Sequence, residues 1–87
     1  MTIKNVLKNA EQRFAYGLEM AKEQPENSDY TNGYAMAVCH MAKDAIDLTV
    51  HTTIDERSEA YDVLDEMYDR TRREISRLYR KAVNSDD

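Results

Sequence analysis

Eighty-seven residues with a net charge of −5, one proline, two glycines and no tryptophan make one small domain, 1–87, rich in helix-forming side chains. The acidic balance argues against non-specific DNA binding by the chain as a whole. The single Cys39 rules out an intrachain disulfide and points to a reducing, cytoplasmic setting. No apolar run approaches the roughly 20 residues that span a bilayer, and the opening Met-Thr-Ile-Lys-Asn-Val has no apolar stretch of the secretory kind.

A first helix is predicted over about 2–23. Ile3, Leu7, Ala10, Phe14, Gly17 and Ala21 step by four and three, with Val6 and Leu18 beside them. Thr2 suits its start. Pro25 ends it, because the ring pushes Gln24 out of the helical region. Gly17 on the apolar face predicts a close neighbouring backbone, and Tyr16 and Met20 lie off the stripe as a contact patch.

A second helix is predicted over about 29–51, capped by Ser28 or Asp29. Asn32-Gly33 interrupts its start. One stripe is Tyr30, Tyr34, Ala37/Val38, Met41, Ala45 and Leu48. A second flank is Ala35, Cys39, Ala42, Ile46 and Val50. A helix apolar on most sides is sandwiched between neighbours.

Thr53-Ile54-Asp55-Glu56 has capping-box spacing and opens a long third helix over about 54–83. Its stripe is Ile54, Tyr61, Leu64, Tyr68, Thr71, Ile75, Leu78 and Ala82. At 1.5 Å per residue it is about 45 Å long against about 33 Å for the first helix. Its surplus should project at the C-terminal end, leaving residues 78–81 less covered, with 84–87 as a frayed tail. The expectation is an all-α, antiparallel three-helix bundle, with a dimeric bundle as the alternative.

Charge on the third helix is sorted by sign. Seven carboxylates and one base lie between Asp55 and Asp69; six bases and one acid lie between Arg70 and Lys81. Asp55, Glu59, Asp62, Glu66 and Asp69 line one side, with Asp65 nearby. The helix dipole accounts for the first turn alone. Seven carboxylates over about 21 Å approach the 3.4 Å phosphate rise of one DNA strand. That suggests a face that mimics phosphates and occludes a basic, nucleic-acid-binding surface of a partner protein. The plainer expectation is pairing within the chain. Lys4, Lys8 and Arg13 begin the first helix and Glu19, Glu23 and Glu26 follow, the reverse order to the third, so parallel placement would match opposite charges.

Arg73, Arg77, Tyr79, Arg80 and Lys81 offer a second surface. Arginine beside an aromatic holds phosphates or single-stranded bases, so a helical nucleic-acid-binding dimer is the alternative function. A structural or assembly module is the third. His40, Asp44, Asp47 and His51 form a polar row on the second helix, but no metal-binding motif accompanies it, and no metal or cofactor is expected. Cys39 and His40 point about 100° apart and make no nucleophile–base pair. With no phosphate loop, activated nucleophile or acid–base pair, the chain is expected not to be an enzyme. In size, acidity and lack of motifs it is similar in character to the small inhibitors and nucleic-acid mimics that phages encode against host defence or host machinery. That resemblance is one of composition and transfers no residue.

Overall fold

The computed structural model describes residues 2–84. Within them lie α1 (Ile3–Glu23), α2 (Ser28–Asp47) and α3 (Ile54–Asn84), and each helix packs on both others. The rod is 56 Å long and 17 Å by 15 Å across. Asn84 is still helical, and the rest of the expected tail, 85–87, lies outside the described residues.

Local chemistry sets most helix ends. The Asn5 N–H donates to Thr2 Oγ1 at 3.2 Å and satisfies one of the free donors at the α1 N-terminus. Gln24, just before Pro25, leaves the helical region at φ −135°. At the start of α3 the capping box forms in both directions. The Glu56 N–H donates to Thr53 Oγ1 at 3.1 Å, and the Thr53 N–H donates to Glu56 Oε1 at 3.2 Å.

The second helix departs from its sequence reading at both ends. It starts at Ser28 without a side-chain cap from Asn27, so neither Ser28 nor Asp29 is the capping residue. It also runs unbroken through Asn32-Gly33. Thr31 is buried there and its hydroxyl reaches the carbonyls of Ser28 and Asn27 at 3.2 and 3.4 Å. Tertiary packing thus outweighs the roughly 1 kcal/mol that a helical glycine costs. The helix stops at Asp47, four residues before the expected His51. The buried Thr49 hydroxyl takes the Ile46 carbonyl at 2.7 Å, and its Oγ1 lies 3.1 Å from that of Thr52. His51 then turns left-handed at φ 63°.

The core draws on all three helices: Val6, Ala10, Phe14 and Ala21; Ala35, Val38, Cys39, Ala42 and Ile46; Ala60, Leu64, Met67 and Ile75. On α2 the inward flank is therefore Ala35–Ile46, and most of the other stripe is left outside. On α3 the buried row is Ala60, Leu64, Met67, Thr71 and Ile75, turned slightly from the expected one. Tyr61 and Tyr68 move to the boundary, where a phenol keeps its hydroxyl near water, and Ile54 is 80 % exposed. Gly17 does mark a close approach, but to a ring: a Cβ there would sit 3.1 Å from Tyr34 Cδ1.

Candidate interaction surface on the third helix

α3 turns one side to solvent. On it Asp55, Glu59, Asp62 and Glu66 are exposed, and among the described residues none is in an ion pair. Glu66 and Arg70, a favourable spacing on paper, do not join. The two remaining members of the predicted acidic set are engaged inside the molecule. Asp65 receives Lys43 Nζ at 2.7 Å, and the Cys39 Sγ lies 3.9 Å from the same oxygen. Lys43 Nζ also stands 5.1 Å from the Tyr61 ring centroid. Asp69 is held by Arg73 at 2.9 Å and by Arg72 at 3.8 Å.

The α2–α3 seam is thus tied by polar contacts. The Tyr61 hydroxyl adds another, donating to Asp47 at 2.7 and 2.8 Å. That bond pushes the Tyr61 phenol above its ordinary value, with burial second. The hydrogen bond to Asp65 raises Lys43 in turn. Burial, more than any charge, pushes the Cys39 thiol up, which keeps it protonated and a poor nucleophile.

The α1–α3 seam lacks the ion pairs expected from its matched charge order. Lys22 turns to Glu19 of its own helix at 3.2 Å. Glu74 takes the Arg77 Nε at 3.0 and 3.1 Å, which holds its carboxyl below the usual range. Lys22 is the one α1 charge felt there, and only at a distance. Among the described residues the sole cross-helix ion pair is Lys43–Asp65.

The basic set divides similarly. Arg73 and Arg77 are committed to Asp69 and Glu74. Tyr79, Arg80 and Lys81 are exposed beyond Ile75, the last buried residue of α3. On α2, Asp47 is taken by Tyr61 and His51 lies past the helix end, so the row His40, Asp44, Asp47, His51 is broken. Among the described residues no three His, Cys, Asp or Glu side chains stand close enough to hold a metal ion, and no helix is long and apolar enough to cross a membrane.

One feature of the surface was not anticipated. Leu48, Val50 and Ile54 stand out at the α2–α3 turn beside the acidic start of α3. A shallow recess at Ile54 is lined also by Asp47, Arg57, Ser58, Tyr61, Asp62 and Asp65. The capping box held the clue: it makes Ile54 the first helical residue, and Thr52 and Arg57, the two positions a hydrophobic staple would join, are both polar. Compared with protein-family models, curated proteins and solved structures, the chain gives no match.

Proposed function

We propose that this chain is a non-enzymatic, cytoplasmic binding protein that occludes a basic surface of a partner protein with the outer face of α3. The observation that carries this reading is the row Asp55, Glu59, Asp62 and Glu66, exposed and, among the described residues, free of ion pairs. Like charges on one helix side cost a few tenths of a kcal/mol per pair, so an internal cation would have been favourable, yet among the described residues none forms an ion pair with the row. The row spans about 16 Å, one charge per roughly 5 Å. With Asp65 and Asp69 engaged elsewhere, that is wider than a phosphate ladder. General charge complementarity supports the binding better than phosphate-by-phosphate mimicry does. The exposed Ile54, which shares a recess with Asp62, adds an apolar edge to the same face.

An up-down-up, antiparallel order of helices underlies this display. It is supported by the sequence of cross-contacts. Tyr61 meets Asp47 while Asp65 meets Lys43, and Val6 and Ala45 line one groove while Gly17 meets Tyr34.

The test is affinity capture at low salt with the wild type and with a Glu59→Lys/Asp62→Lys/Glu66→Lys variant. A basic protein retained by the wild type and lost by the variant is the expected outcome. Equal retention by both contradicts the proposal. A second reading, nucleic-acid binding, draws on Arg80 and Lys81, which have no carboxylate in an ion pair beside the exposed Tyr79. That absence of ion pairs holds among the described residues, and the reading requires single-stranded DNA binding at low salt that is abolished by Arg80→Glu/Lys81→Glu.

A further inference from the structure

The outer side of α2 carries an apolar row that neither α1 nor α3 covers. Tyr30, Ala37, Met41 and Leu48 are all exposed, the three large ones at 61, 62 and 81 %. Their separations of seven, four and seven residues keep them on one side of the helix. Tyr16 of α1, 59 % exposed, widens the patch, its ring edge-on to Tyr34 with centroids 5.9 Å apart. An apolar groove between α1 and α2 adjoins it.

We infer that this face pairs two copies of the chain about a two-fold axis. The row reads the same from either end, since Tyr30 is as far from Ala37 as Met41 is from Leu48. Two antiparallel α2 helices with the axis midway between Ala37 and Met41 set each Ala37 against the partner's Met41. They also set each Tyr30 against the partner's Leu48. A short side chain faces a long one at the centre, and large ones meet at the ends, the self-complementarity that an isologous contact needs.

Charge agrees with this register. Asp44 falls level with the partner's Tyr34, whose hydroxyl makes no hydrogen bond among the described residues of its own chain, so the two Asp44 carboxylates do not confront one another. The area is sufficient for a modest dimer. At roughly 150–200 Å² per large side chain, Tyr16, Tyr30, Met41 and Leu48 present about 450 Å² per molecule. Two copies bury about 900 Å² with these alone, and the flanking atoms bring the contact to the ~1,000 Å² threshold of a specific interface. The α1–α2 face lies across the bundle from the outer row of α3. The dimer therefore displays two acidic faces pointing apart, suited to two basic partners and not to one joint duplex mimic.

Sedimentation equilibrium tests this on the full chain under reducing conditions, up to about 200 µM, the range where a small interface holds. The wild type should reach twice the 10.1 kDa chain mass. Met41→Glu and Tyr30→Glu, both at exposed positions, should keep their helical circular dichroism and lose at least tenfold in dimer affinity. Register is read by mixing Ala37→Cys with Met41→Cys chains under mild oxidant, where paired positions within disulfide reach should cross-link. Ala37→Cys mixed with Val63→Cys should not. A wild type that stays monomeric, a dimer untouched by both glutamate variants, or cross-linking no better than the Val63 control overturns the inference. So does a different protein that binds the α2 face while the chain alone remains a monomer.

Discussion

The outer faces of α2 and α3 are both left uncovered by the bundle, with opposite chemistry. On α3 the uncovered row is carboxylate, and water solvates it at little cost, so a monomer can carry it indefinitely. On α2 the uncovered row is tyrosine, methionine and leucine, and leaving it wet forgoes about 25 cal/mol per Å². This contrast underlies the two proposals. In them the apolar face is covered by the chemistry always present with it, a second copy. The acidic face can stay open for a partner that arrives by charge.

The largest expected effect abolishes the comparison altogether. Ile46 is fully buried between the helices, and Ile46→Ala should cost about 2–5 kcal/mol in chemical denaturation through the lost transfer energy and the cavity left behind. That is a large part of the stability of a domain this size, and both faces should fail together. A smaller change acts on the acidic face. Thr53→Ala removes the cap that starts α3 and should cost about 1 kcal/mol. Amide exchange should quicken over the first turn of α3, around Asp55 and Glu56, while dimer mass is unchanged.

The smallest effect concerns the seam between the two faces. Tyr61 and Lys43 hold their protons more tightly folded than unfolded, because of Asp47 and Asp65. Groups raised above ordinary values of 10.0 and 10.5 contribute fully below those values, and the contribution is lost as pH rises through the folded ones. Urea midpoints should therefore hold steady to about pH 9 and fall towards pH 11. Tyr61→Phe should flatten the fall and cost under ~1 kcal/mol at neutral pH.

Much of this was legible where cause and effect lie close in sequence. The Thr53–Glu56 box and the stop before Pro25 each involve residues at most three apart, and both are present. The commitment of Asp65 to Lys43 was not legible, because it joins residues from different helices and depends on their rotation. The same rotation decided which flank of α2 turned inward: periodicity shows that a face is apolar, not what covers it. The early end of α2 was hidden because Leu48 and Val50 continue the apolar pattern past a stop made by the Thr49 hydroxyl and the left-handed His51. The expected α1–α3 pairing of Glu19 with the basic half of α3 is absent among the described residues, where Glu19 and Arg77 each hold a partner three residues away on their own helix.

The proposed binding rests on Asp55, Glu59, Asp62 and Glu66 of α3, which form no ion pair among the described residues. Its most direct test is a salt series on the partner captured by the wild type, titrated with the wild type and with Glu59→Lys/Asp62→Lys/Glu66→Lys. Wild-type affinity should fall steadily with ionic strength, and the variant should lose at least a hundredfold at low salt while its helicity and dimer mass stay unchanged. Wild-type affinity indifferent to salt, or a variant that binds as well, would contradict it.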